Sequence, residues 1–244
     1  VLVPCIKGYC FGEELENWNN WLDQILGHYK NATESYKTVS LVGLSMGATL
    51  AMAAAENVQP LANVFLASAL GYDGWSMPWY AFLLPYASLI PFSNLYKYKE
   101  KEPFGVKNLQ MRNIVRRTLE TNKVSEIGGS QITLDQIREG YLLIKEVKEN
   151  LEKIISPSLI IHAVDDESVH IRNALNAFDR ISTHDKQFIY LGDSYHVITV
   201  DNEKDYVYYE TLRFIKNKVN GFLGEEEFET QKIVSHELRR YLSR

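Results

Sequence analysis

The segment from Thr38 to Leu70 constrains this chain more than any other, because two apolar runs flank a helix of small residues. Thr38–Leu44 is β-branched and almost continuously apolar, which suits a strand covered on both faces. Met46–Glu56 is alanine-rich and reads as a helix, and Asn63–Leu70 (NVFLASAL) reads as a second buried strand. Strand, helix and strand in close succession need a crossover connection. The expected fold class is therefore α/β, with a mostly parallel sheet flanked by helices. The alternation returns at Ser158–Val164, Ser168–Ile181, Lys186–Leu191 and Asp205–Leu223. Ahead of it, Val1–Ile6 reads as a short strand ended by Gly8. Leu15, Trp18, Leu22, Ile25 and Tyr29 then mark Glu13–Lys30 as an amphipathic helix.

Between Gly71 and Glu152 the pattern breaks. Aromatic, proline and aliphatic residues crowd from Trp75 to Phe92, a charged stretch follows, and helical segments lie around Met111–Thr121 and Leu134–Ile155. Such a stretch is either an ordinary helical insertion with one buried face or a cap whose aromatics line an apolar pocket. The cap is the expectation, with Trp75, Trp79 and Phe82 as candidate substrate-binding residues. The chain then divides into a core of residues 1–70 and 153–223, a cap of 71–152 and a tail of 224–244. In the tail, Ile233, Val234, Leu238, Tyr241 and Leu242 form an amphipathic stripe expected to dock on the body or on a second copy. Cap and tail are accordingly the surfaces expected for any homodimer.

Composition narrows the function classes. With a net charge of −5 and no lysine–arginine tract, the chain lacks the basic face of a nucleic-acid reader. The only cysteines, Cys5 and Cys10, are too few for a disulfide framework and are read as thiols of a reducing compartment, so a cytoplasmic location is expected. No apolar run approaches the ~18–20 residues of a membrane span, and no secretory signal is visible. No pair among the histidines has zinc-ligand spacing, so neither a metal nor another cofactor is expected.

Gly43-Leu44-Ser45-Met46-Gly47 fits G-x-S-x-G between a buried strand and a helix. A sharp turn there strains the serine backbone and lifts its hydroxyl above the sheet, and both flanking glycines are expected to avoid a Cβ clash. The helix N-terminus adds unpaired N–H groups where an anion would form. A hydroxyl near neutral pH needs a base, and the base needs an acid to fix its tautomer. His196 follows the strand Lys186–Leu191, and Asp165 and Asp166 follow the strand at Leu159–Val164. All lie at C-terminal strand ends, where a doubly wound sheet gathers its site. The remaining histidines, His28, His162, His170, His184 and His236, sit in helices, a strand, a turn and the tail.

With GLSMG, AVDDESV, SYHVITVD and YDGWSMPWYAFLLP, the chain from Val1 to about Leu223 resembles α/β-hydrolases of the bacterial carboxylesterase and monoacylglycerol-lipase group. The resemblance implies Ser45 as nucleophile, Asp166 rather than Asp165 as acid, His196 as base and the Met46 N–H as an oxyanion donor. It implies cleavage of small apolar carboxylic esters through an acyl-enzyme. An acyl thioesterase, or a binding protein of the same fold without turnover, are the alternatives. In Ile6–Gly12, Tyr9 stands where relatives carry a histidine, and the loop is read as structural. Relatives also carry an earlier strand ending in H-G that supplies a second oxyanion donor. No H-G dipeptide occurs here, so the sequence is expected to begin one strand and one helix late. Loss of such a donor costs on the order of 10²–10³ in rate.

Overall fold

A computed structural model describes residues 1–9, 14–78, 81, 97–99, 101–122, 124–125, 128–129, 131–223 and 231–235. Among these, five strands form one parallel sheet: β1 (Leu41–Leu44), β2 (Asn63–Leu66), β7 (Ser158–Ala163), β8 (Lys186–Leu191) and β9 (Gln231–Val234), in the order β1-β2-β7-β8-β9. The crossovers are helical: α2 (Met46–Ala55) joins β1 to β2, α5 (Arg172–Arg180) joins β7 to β8, and α6 (Lys204–Leu223) precedes β9.

Why these strands carry near-continuous apolar runs is visible in the two cores. Phe65, Ile160 and Phe188 point to one face and pack with α1 (Trp18–Ser35), α2, α5 and α4 (Leu134–Asn150). Val64, Leu66, Leu159, Ile161, Ile189 and Leu191 point to the other and pack with Val207 and Phe214 of α6. Successive residues of a strand face opposite sides, so a sheet covered on both needs every position apolar. Deleting a ring such as Phe188 from this packing would cost about 3–5 kcal/mol.

Between β2 and β7 the chain forms α3 (Leu109–Asn122), α4 and two small antiparallel ribbons, β3 (Lys97–Lys99) with β6 (Gln131–Thr133) and β4 (Val124–Ser125) with β5 (Gly128–Gly129). Helix α4 begins with a capping box: the Thr133 hydroxyl accepts the Gln136 N–H and the Gln136 side chain accepts the Thr133 N–H. Trp79, Phe82 and most of the aromatic run lie outside the described residues. Among the described residues, no helix is long and apolar enough to cross a membrane.

Four expectations need correction. Residues 1–6 are not a strand: they pair with none of the described strands, Val1–Val3 are exposed, and only Ile6 is buried. An apolar run becomes a strand only where a ladder partner lies beside it. Helix α1 starts at Trp18 rather than near Glu13, because Asn17 is extended and its side chain accepts the Asn20 N–H, a strong N-cap. Helix α5 starts at Arg172 rather than Ser168, because the N–H groups of Ser168 and Val169 are taken by Asp166. Finally, residues 231–234 of the tail meet the body not through an amphipathic stripe but as a strand: β9 pairs with β8 over Gln231–Val234, and the Ser235 N–H donates to the Tyr190 carbonyl.

One carboxylate is placed at a cost to the fold. Glu56, at the C-terminus of α2, is pushed up to about 8 by burial, with the Glu146 charge adding to it and Lys153 opposing. Its Oε1 is buried without a hydrogen-bond partner among the described residues. Between the unfolded value of about 4.3 and the folded value of about 8, the folded state binds the proton more tightly. Stability therefore falls as pH rises through that window. Glu56→Gln should raise the melting temperature clearly at pH 8 and little at pH 5, as thermal unfolding at the two pH values would show.

Candidate active site

The site sits at the C-terminal end of β1, where the chain turns sharply into α2. Ser45 adopts φ 55° and ψ −123°, a region non-glycine residues rarely visit and one that costs about 1–3 kcal/mol. Neighbours hold it there. The Ser45 N–H donates to the Leu66 carbonyl at 2.9 Å, and its own carbonyl accepts from Ala48 at 3.0 Å and Ala69 at 3.1 Å. The flanking glycines have different reasons. A Cβ on Gly43 would overlap the Gly47 carbonyl and press on the Ala48 backbone, whereas one on Gly47 would meet nothing within 4 Å. Only the first is a packing requirement, so the expectation of a clash at both is half corrected.

Strand β8 leads into the loop that carries His196. The Ser45 Oγ lies 2.7 Å from His196 Nε2, and His196 Nδ1 lies 2.7 Å from Asp166 Oδ2. A carboxylate can only accept, so Nδ1 carries the proton and Nε2 is left as the acceptor facing the Ser45 hydroxyl. The structure thus brings Ser45, Asp166 and His196 into one hydrogen-bonded line. Asp165 is elsewhere: its side chain is 59% exposed and pairs with Lys107 at 3.3 Å. Met46 opens α2, so its N–H belongs to the first turn, whose donors lack intrahelical acceptors.

Asp166 is buried and both its carboxylate oxygens accept hydrogen bonds. Oδ1 accepts the N–H groups of Ser168 at 2.9 Å and Val169 at 2.8 Å. His162, on β7, lies 3.3 Å from Oδ2 and 3.2 Å from the Val169 carbonyl through the same Nε2. Because a carbonyl only accepts, that nitrogen holds the proton. Burial lowers the His162 pKa, keeping the ring neutral. Burial alone would push the Asp166 carboxyl up, but the charge and hydrogen bond of His196, with His162 and the Val169 N–H, hold it below the usual carboxylate range.

Three further buried carboxylates escaped the sequence reading. Glu203 accepts the N–H groups of Gly192 at 3.2 Å and Asp193 at 2.8 Å, and the Ser194 hydroxyl at 2.8 Å. Asp201 accepts the main-chain N–H groups of Tyr195 at 2.8 Å and Lys107 at 2.7 Å on Oδ2, and that of Asn108 at 2.8 Å on Oδ1. Glu167 accepts the His196 N–H at 3.1 Å. Its carboxyl is pushed up by burial; the His196 charge opposes this and that of Asp166 adds to it. The available signal was proximity in sequence, since Glu167 follows Asp166 directly and Asp201 and Glu203 closely follow His196.

Trp75 is 62% exposed. Its indole N–H donates to the Asp165 carbonyl at 3.1 Å, and its ring meets Tyr195 edge-on at 5.6 Å, so it braces the acid loop against the histidine loop from outside. Tyr9 packs edge-on against Trp21 at 5.3 Å, beside the core. A cavity of about 690 Å³ opens between residues 70–81 and α4, with Leu70, Tyr72, Met77, Tyr141, Ile144 and Lys148 among its walls. Tyr72 and the Met46 side chain both lie against Gly140 of α4; Tyr72 lines the cavity, whereas Ser45 and Met46 do not. Among the described residues, no cluster of three or more histidine, cysteine, aspartate or glutamate side chains is arranged to hold a metal ion.

Residues 12–205 match the family described as serine aminopeptidase, S33. The chain is 24% identical over 201 residues to a carboxylesterase of Bacillus subtilis (strain 168), covering 82% of this chain and 72% of that protein. It is 24% identical over 217 residues to a thermostable monoacylglycerol lipase of Bacillus sp. (strain H-257), covering 88% and 78%. Among solved structures, a monoacylglycerol lipase of Paleococcus ferrophilus superposes with a TM-score of 0.65 at 14% identity, covering 81% of this chain and 76% of that one. A soluble variant of the Saccharomyces cerevisiae monoglyceride lipase superposes with a TM-score of 0.67 at 11% identity, covering 84% and 72%.

The glycine geometry makes a testable contrast. Gly43→Ala should lower the melting temperature by several degrees, because backbone atoms cannot yield to the new Cβ. Gly47→Ala should leave it unchanged or raise it, since alanine is the better helix former by up to about 1 kcal/mol. Thermal denaturation of the two variants beside wild type measures both.

Proposed function

The chain belongs to the serine aminopeptidase S33 family, and from that premise we propose that it hydrolyses carboxylic esters of apolar acyl groups through a Ser45 acyl-enzyme. The observation that carries this reading is the unbroken line from Ser45 Oγ through His196 to Asp166, at 2.7 Å in each link. Support for the ester class comes from the carboxylesterase and monoacylglycerol lipase among its relatives.

In the first half-reaction, Ser45 Oγ attacks the acyl carbon as its proton passes to His196 Nε2. The developing oxyanion is met by the Met46 N–H at the start of α2, where the helix dipole favours negative charge. Asp166 holds Nδ1–H and stabilises the imidazolium without taking its proton. His196 then gives the proton on Nε2 to the departing alkoxide, releasing an alcohol and leaving Ser45 acylated. In the second half, water loses a proton to Nε2 as it attacks the acyl carbon; His196 then returns that proton to Ser45 Oγ as the acyl–Oγ bond breaks, and the free acid leaves. Support for apolar acyl groups comes from the sequence alone, in the aromatic and aliphatic crowd that ends at Phe92.

The test is intact mass after exposure to a fluorophosphonate, together with hydrolysis of p-nitrophenyl butyrate. Wild type should gain one adduct and Ser45→Ala none; labelling of both forms, or of neither, would remove Ser45 from the role. Asp166→Asn should lose on the order of 10³–10⁴ in kcat by disturbing the imidazole tautomer. Asp165→Asn, altering an exposed side chain, should stay within about threefold of wild type. The opposite ranking would assign the acid to Asp165.

A further inference from the structure

We propose that Glu167 is a positioning residue for the reaction, holding His196 by its main-chain N–H while Asp166 holds the same residue by its ring. This inference rests on the hydrolase reading above. Two adjacent carboxylates of one loop serve one histidine from two sides: Asp166 Oδ2 at 2.7 Å from Nδ1, and Glu167 Oε2 at 3.1 Å from the backbone nitrogen. The Asp166 bond orients the ring, whereas the Glu167 bond fixes the backbone that carries it. A shift of that backbone would carry Nε2 away from the Ser45 hydroxyl, 2.7 Å distant.

Glu167 is itself held in place. The Ser168 hydroxyl donates to Oε1 at 2.9 Å, so both carboxylate oxygens are acceptors. Its carbonyl accepts the Ser76 N–H at 3.0 Å and the Ser76 hydroxyl at 2.9 Å, and a Cβ on Gly74 would overlap that carbonyl. The charged and titratable groups facing it are Asp166 and His196, with His162 against the far side of Asp166.

The rest of the histidine loop is fixed by the same device. Glu203 takes the N–H groups of Gly192 and Asp193 and Asp201 takes that of Tyr195, so with Glu167 four N–H donors of the loop end on buried carboxylates. From the opposite side, Val197 donates its N–H to the Gly105 carbonyl at 2.8 Å. Glu203 and Asp201 lie C-terminal to His196 in sequence and fix the loop to α6 and to residues 107–108. Glu167 alone of the three comes from the loop that also carries the acid. It therefore sets the distance between base and acid directly.

Two substitutions separate reach from charge. Glu167→Gln keeps an oxygen at the same reach and removes the charge. Glu167→Asp keeps the charge and withdraws it by one methylene from the His196 N–H. With p-nitrophenyl butyrate, Glu167→Asp should lose about ten- to a hundredfold in kcat with KM within about twofold, the scale of a misplacement near 1 Å. Glu167→Gln should remain within about threefold of wild type, since its amide oxygen still accepts the N–H. The fluorophosphonate labelling rate should follow the same order. Wild-type kcat in Glu167→Asp, or equal impairment in both variants, would overturn the proposal, as would a larger loss in Glu167→Gln. Should Glu167→Asp not fold, Glu167→Met decides the matter: it fills the space without an acceptor and should lose kcat while binding substrate normally. Unchanged kcat there would equally overturn the proposal. Wild type and Ser45→Ala are labelled in parallel, so failure of the Ser45 reading shows as absent or serine-independent labelling whatever Glu167 does.

Discussion

A buried carboxylate is the constraint on which the rest of this site depends. Asp166 sits at the end of a central strand, out of water, where an isolated negative charge would cost several kcal/mol. The fold offsets that cost with two main-chain N–H groups on one oxygen and the His196 ring N–H on the other, beside the His162 ring at 3.3 Å. Each donor fixes something beyond the charge. The Ser168 and Val169 donors bend the chain away from helix and delay α5 until Arg172, while His196 is held with Nδ1 protonated and Nε2 open toward Ser45. Removing the charge would therefore loosen a loop and release a tautomer together.

The same logic spreads outward from the strand ends. Loops have no ladder to satisfy their N–H groups, so a loop that must stay in one shape needs acceptors from elsewhere. Between Gly192 and His196 those acceptors are carboxylates of Glu203, Asp201 and Glu167, all buried. Charged acceptors bind N–H groups about twice as strongly as neutral ones. A loop built this way behaves as an extension of the rigid sheet, which suits a base that must keep a 2.7 Å contact with a hydroxyl carried by the turn between β1 and α2. Ser45, in turn, is held in a strained conformation by carbonyls and N–H groups of its own neighbours rather than by a loose turn.

Much of this was readable in the chain, and the failures have specific causes. The strands β2, β7 and β8 were legible because burial on both faces leaves unbroken apolar runs. The neighbourhood of Ser45 was legible because a strand, a glycine-flanked serine and a helix of small residues follow without a gap. Val1–Ile6 misled because it has strand composition without a ladder partner. Residues 231–234 were read as part of an amphipathic stripe, yet they pair with β8 through main-chain groups that side-chain spacing does not report. Gly47 was given a steric reason that belongs to Gly43 alone, because which Cβ clashes depends on how the turn is wound.

The sequence by itself determined the succession β1, α2, β2 and β7, α5, β8, α6, the turn that carries Ser45, and the loops in which an acid and a base could lie. Those are local properties, set by apolar periodicity and by what a backbone can do over a few residues. Only the tertiary structure decided between Asp165 and Asp166 on geometry, placed Trp75 outside the acid loop, and gathered Glu167, Asp201 and Glu203 around His196. Each of those facts is a distance between groups far apart in sequence or a burial that compensates a charge. Neither exists until the sheet has closed and brought its strand ends together.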